Sequence, residues 1–160
     1  HQEEADYMAA YCLYLVSPEH SLDQTYTRKG LDELQLFLDR YPESEYRDSV
    51  NILIDELHGK LEQKAYDNAY LFYHIKDYKA AIKALENAIK DYPDSPYNED
   101  ARFYILKSSY LLAENSVESK KQERYENALK AYHSLMDSYP ETEYAQDAKR
   151  IYEKTDEIIN

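Results

Sequence analysis

The sequence predicts an all-α fold: antiparallel helix pairs closed by a terminal helix, within 160 residues. Three observations carry this reading. A hexapeptide suited to stopping one helix and starting another occurs three times. The stretches between these corners space their apolar residues three and four apart. Two glycines and five prolines are too few to turn the corners of a β-sandwich or barrel.

The corners are Tyr41-Pro42-Glu43-Ser44-Glu45-Tyr46, Tyr92-Pro93-Asp94-Ser95-Pro96-Tyr97 and Tyr139-Pro140-Glu141-Thr142-Glu143-Tyr144. Proline cannot continue a helix and biases the preceding residue away from helical geometry, so helices are expected to end near Tyr41, Tyr92 and Tyr139. Ser44, Ser95 and Thr142 are read as N-caps of the following helices, with Pro96 at a first helical position. Upstream, Gly30, Leu34 and Phe37 precede Pro42 by 12, 8 and 5 residues. Ala81, Leu85 and Ala88 stand at the same offsets before Pro93, and Ala128, Tyr132 and Leu135 before Pro140. Matching offsets at all three corners mark an internal repeat.

The elements follow in order. His1 opens directly into helical pattern, without an initiator Met or a signal peptide, so the chain reads as part of something longer. Residues 17–26 are polar and are read as an insertion between two helices of a pair. A helix carrying Gly30, Leu34 and Phe37 runs to the first corner. Residues 46–74 form one long helix, since Val50, Leu53, Ile54, Leu57, Leu61, Ala65, Ala69 and Phe72 keep helical spacing; at about 1.5 Å per residue it reaches about 40 Å. Gly59 lies inside it, where a kink would be tolerated. Tyr78, Ala81, Ile82, Leu85, Ala88, Ile89 and Tyr92 form the next stripe. Residues 114–124 are read as a second polar insertion. Tyr125, Ala128, Leu129, Tyr132, Leu135, Met136 and Tyr139 repeat the stripe. A terminal helix with Ala148, Ile151, Tyr152 and Ile158 closes the chain. The crossings are expected to bury Leu34, Phe37, Ala81, Ala88, Ala128 and Leu135.

Composition narrows the function. Glycines 29 positions apart exclude phosphate loops, dinucleotide fingerprints and the GxSxG elbow. One cysteine allows neither an internal disulfide nor a cysteine zinc cluster. No run of about 18 apolar residues offers a membrane-spanning helix. With 19 basic and 32 acidic residues the net charge is −13, which repels nucleic-acid phosphates, so no nucleic-acid partner is expected. Nineteen tyrosines and no tryptophan suggest amphipathic aromatics filling shallow helix interfaces, with some available to line a partner groove.

No catalytic constellation is legible. The closest two of the five histidines (His1, His20, His58, His74, His133) are 16 residues apart, so no metal pair stands on one helical face. Cys12, four residues after Met8, is read as a small core hydrophobe. No enzyme activity, cofactor or metal is expected. Stacked helix pairs expose extended surfaces, the form of a binding scaffold. The partner-binding candidates are Lys76, Lys79, Lys83 and Lys90 on and before one helix, with Lys120, Lys121 and Arg124. They lie on or beside the middle of the chain, where residues 51–110 carry 10 acidic against 8 basic residues, while residues 1–50 carry 11 against 4. A carboxylate-bearing partner would be steered to such a patch.

The stripe Ala81, Leu85, Ala88, then Pro93, resembles the second helix of a tetratricopeptide repeat, and Ala65, Ala69 and Phe72 resemble its first helix. The YPESEY and YPDSPY corners, the long helix and ERYENALKAY at residues 123–132 resemble the BamD family of outer-membrane protein assembly lipoproteins. That family is also described as competence or DNA-uptake lipoproteins, and the likeness is to the C-terminal half of Bacteroidetes-type members. It implies about three tetratricopeptide-like repeats over residues 1–143 in an α-solenoid, with a capping helix at 144–160. It also implies a lipid-anchored place on the periplasmic face of the outer membrane, with the anchor outside this chain. The implied partners are the POTRA modules of BamA and other lipoproteins of the assembly complex. Unfolded outer-membrane clients would be met through N-terminal repeats that this chain lacks. Alternatives are a generic periplasmic repeat adaptor or a DNA-uptake lipoprotein linked to peptidoglycan.

Overall fold

The computed structural model describes residues 1–160. Seven helices and no strands follow one another: α1 (Gln2–Val16), α2 (Thr25–Arg40), α3 (Arg47–His74), α4 (Tyr78–Asp91), α5 (Asn98–Glu114), α6 (Glu118–Ser138) and α7 (Ala145–Ile159). The fold is the all-α array of successive helix pairs that the stripes predict. The chain forms two compact units, His1–Lys64 and Ala65–Asn160, and α3 contributes residues to both.

The first unit is built on Ala10, Leu34, Phe37, Val50, Leu53 and Leu57, rimmed by tyrosines that include Tyr7, Tyr14, Tyr41 and Tyr46. In the second, α5 packs against both α4 and α6, and α7 packs on α6 and α5. Its core joins Ala69, Leu85 and Ala101 on one side of α5 and Phe103, Leu106, Ala131, Leu135 and Ala148 on the other. The predicted crossing residues Leu34, Phe37, Ala81, Ala88, Ala128 and Leu135 are all buried.

The corners work by a different turn from the expected one. Tyr41, Tyr92 and Tyr139 are C-caps, each N–H bonded four residues back. Ser44, Ser95 and Thr142, however, are not N-caps. Their hydroxyls accept from the N–H two residues on, at 3.0, 3.1 and 3.2 Å, and so close a small side-chain turn. The helices begin two residues later, with Tyr97 and Tyr144 as the N-caps of α5 and α7. Pro96 accordingly lies in the turn. In this turn the second tyrosine of each corner lies flat on an aromatic ring. Tyr46 stacks on Tyr7 (4.3 Å), Tyr97 on Tyr66 (5.5 Å) and Tyr144 on Phe103 (4.1 Å).

α3 ends in a Schellman turn. The N–H of Asp77 reaches the Phe72 carbonyl at 2.9 Å and that of Lys76 the Tyr73 carbonyl at 3.0 Å. Lys76 therefore occupies the left-handed position, at φ 67°, where glycine is usual. Asp77 then caps α4 by accepting the Ala80 N–H at 3.2 Å.

Other sequence expectations need correction. Residues 118–124 are helix, and only Asn115–Val117 interrupt α5 and α6. The segment is polar, but Glu, Lys, Gln and Arg are good helix formers. Gln122 bonds Glu126 one turn on, and Lys121 pairs with Glu118. Residues 17–24 do link α1 to α2, but they are held in place. Buried Gln24 donates to the Glu19 and Leu22 carbonyls, Lys60 donates to Ser17, and Lys64 to the Leu22 carbonyl.

Cys12 is exposed, because α1 buries Ala10 and half-buries Tyr7, Tyr11 and Tyr14, leaving Met8 and Cys12 on the other face. Phe72 is exposed too: the packed face carries Tyr66, Ala69, Tyr70 and Tyr73. In α7, Thr155 is buried and Ile158 exposed, the threonine hydroxyl being satisfied by the Ile151 carbonyl at 2.7 Å.

Candidate partner-binding surface

Three of the seven basic candidates, Lys76, Lys79 and Arg124, lie where α5 meets α4 and α6. The Schellman turn sets Lys76 at the entrance of α4, and one turn on Lys79 is exposed. Lys76 and Lys79 line a depression of about 490 Å³ with Asp77 and Tyr78, closed by Leu112 and Asn115 at the end of α5. Leu112 also lines a groove of about 380 Å³ formed by α4, α5 and α6. The two depressions therefore adjoin along one side chain.

The groove has an apolar base and a basic rim. α4 supplies Ile82 and Glu86. α5 supplies Arg102, Ile105, Ser109 and Leu112, and α6 supplies Arg124, Asn127, Lys130, Ala131 and Ser134. These residues follow spacings of three and four on each helix, so one face of α5 and one face of α6 meet there. Arg124 is positioned by donating to Ser116 Oγ at 2.5 Å, and Ser116 in turn donates to the Leu112 carbonyl at 2.5 Å. The loop that separates α5 from α6 thus holds one rim cation. Arg102 and Lys130 form no ion pair, although Glu86 lines the same groove.

The structure brings Lys76, Lys79 and Arg124 to adjoining depressions. It does not gather the others there. Lys83 and Lys90 are exposed on α4, Lys120 is exposed in the first turn of α6, and Lys121 is paired with Glu118 at 3.5 Å. Arg102 and Lys130 were not anticipated. Their signal is the regular spacing of Arg102, Ile105, Ser109 and Leu112, and of Arg124, Asn127, Lys130 and Ser134, beside the core stripes.

Other faces of α5 are packed by tyrosines. Lys107 Nζ lies 5.6 Å from the centre of the Tyr73 ring. Burial first, then neighbouring Tyr70, pushes the Tyr104 hydroxyl up to about 12. Burial, then Glu114, does the same for Tyr110, also to about 12. Both stay protonated at neutral pH and act as packing groups with polar tips. No set of three or more His, Cys, Asp or Glu side chains is placed to hold a metal.

A family model described as "YfiO: Outer membrane lipoprotein" matches residues 59–159, more than half of the chain. The match takes in the C-terminal part of α3, all of α4 to α7, and the whole basic surface. No curated protein matches the chain.

Proposed function

Because the chain belongs to the YfiO family of outer membrane lipoproteins, we propose that it is a non-enzymatic scaffold of the outer-membrane β-barrel assembly machinery. In this reading it acts as BamD does, docking the POTRA modules of BamA from the periplasmic face of the outer membrane. No helix is long and apolar enough to cross a membrane. Attachment would rest on a lipid, in keeping with the family description.

The observation that carries the reading is the basic surface within the family-matched region. In a chain of net charge −13, Lys76, Lys79, Arg102, Arg124 and Lys130 converge on two adjoining depressions. A mostly acidic protein with one basic surface steers carboxylate-bearing partners to it and disfavours other orientations. Helix pairs with apolar cores supply the rigid support such a surface needs.

The test is capture from a detergent-solubilised envelope with the chain as bait. BamA among the retained proteins, displaced by its purified periplasmic modules, is the expected outcome. Retention of peptidoglycan-linked proteins without BamA would favour the adaptor reading instead.

A further inference from the structure

We infer that the groove between α4, α5 and α6 binds an acidic, partly apolar segment of a partner protein. Its carboxylates would meet Arg102, Arg124 and Lys130, and an apolar side chain would meet Ile82, Ile105 and Leu112. This deepens the scaffold reading by naming the chemistry of what one part of the surface takes.

Three features lead there. First, the groove carries an excess of positive charge: Arg102, Arg124 and Lys130 line it with one carboxylate, Glu86. The chain carries 32 acidic residues, yet Arg102 and Lys130 pair with none of them. Arg124 is held by a neutral hydroxyl, Ser116 Oγ, and keeps its full charge for an occupant.

Second, two of the three cations are arginines, and both are half-buried. A partly desolvated guanidinium is screened less by salt, and its planar fork matches a carboxylate. Third, the base of the groove is apolar, and buried Ser109 together with Ser134 and Asn127 adds short hydrogen-bonding groups. Such a mixture suits a peptide carrying both kinds of side chain. A space of about 380 Å³ accommodates side chains of a segment rather than a folded module. Net repulsion from a −13 chain disfavours a long polyanion such as a nucleic acid, whose phosphates extend well past the groove.

The experiment uses the 160-residue chain and three labelled probes: a peptide alternating Asp and Leu, the same peptide with Asn for Asp, and a single-stranded oligonucleotide. Anisotropy titrations are run at low and at physiological salt. The Asp-Leu peptide is expected to bind at least about tenfold more tightly than its Asn counterpart, a difference of the size that one charge-assisted contact gives. The pair Arg102→Glu and Lys130→Glu should remove that preference. Lys130→Glu alone, at an exposed position, should weaken it several-fold without risk to the fold. Lys154→Glu, exposed on α7, should leave it unchanged.

Equal binding of the Asn peptide, equal binding of the oligonucleotide, or an equal loss with Lys154→Glu would each overturn the proposal. A parallel titration with the periplasmic modules of BamA separates the two readings. Modules that bind the Arg102→Glu, Lys130→Glu chain as well as the original would leave the scaffold reading standing and remove this groove from it.

Discussion

Tyr144 lies flat on Phe103, ring centres 4.1 Å apart and planes within 7°, and its hydroxyl donates to Asp100 Oδ1 at 2.5 Å. One side chain thereby ties the last corner to the start of α5 by both its ring and its polar tip. Nearby, the Thr142 hydroxyl donates to Glu99 at 3.1 Å. Tyr144→Phe keeps the stack and removes the hydrogen bond to a charged acceptor, at an expected cost of about 1.5–3 kcal/mol. Tyr144→Ala loses the ring as well and should cost more, on the order of 3–5 kcal/mol. Urea unfolding of the two variants checks the order; equal losses would mean that the ring contributes nothing.

Alkaline pH should unfold the chain. Tyr104 and Tyr110 are pushed up to about 12, and Tyr66 and Tyr144 higher still, in each case by burial first. An unfolded tyrosine titrates at 10.0. Above that pH the unfolded chain releases protons that the folded chain retains, so stability falls as pH rises. The contribution is fully present below pH about 10 and is lost from there to about 12 and beyond. Circular dichroism and tyrosinate absorbance should show a late, cooperative transition. The full tyrosinate absorbance of the unfolded chain reached near pH about 10 with helix intact would contradict it.

The two glycines should respond differently to alanine. At Gly59, a Cβ meets nothing within 4 Å, so Gly59→Ala should stabilise α3 by about 1 kcal/mol. At Gly30, a Cβ would come 3.1 Å from Leu57 Cδ1, and Leu57 is fully buried. Gly30→Ala should therefore gain less than Gly59→Ala or destabilise outright, and thermal midpoints compare them directly.

Lys76 holds a left-handed conformation that costs an ordinary side chain about 1–2 kcal/mol. Lys76→Gly relieves that cost, in part offset by the freedom glycine gains in the unfolded chain. The expected result is a melting midpoint unchanged or raised, with slower association of an acidic partner. A lowered midpoint would show that the lysine stem contributes packing there.

Ala88 is buried where α4 is packed. Ala88→Leu would force bulk into that site and should cost about 1–3 kcal/mol. An unchanged midpoint would show that the neighbouring helices can move apart at no cost.

The corners and stripes were legible because proline and helical spacing act locally. Which face of a helix is covered was less so. The spacing of Met8 and Cys12, or of Ala65, Ala69 and Phe72, fits burial, but the packed faces turn instead on Tyr7 and Ala10 and on Tyr66, Ala69 and Tyr73. Polarity misled over residues 118–124, whose side chains are hydrophilic and helix-forming at once. The groove needed three dimensions. Arg102 and Lys130 lie 28 positions apart, and only the packing of α5 on α6 sets them around one cavity.

The most direct measurement is the association rate of the periplasmic modules of BamA with the chain and with its Lys76→Glu, Lys79→Glu, Lys130→Glu variant, at low and high salt. Charges at an interface rim act chiefly on the on-rate and its salt dependence. A basic docking surface predicts slower association of the variant at low salt, the two chains converging as salt rises. An unchanged low-salt on-rate, with helix content intact by circular dichroism, would contradict it.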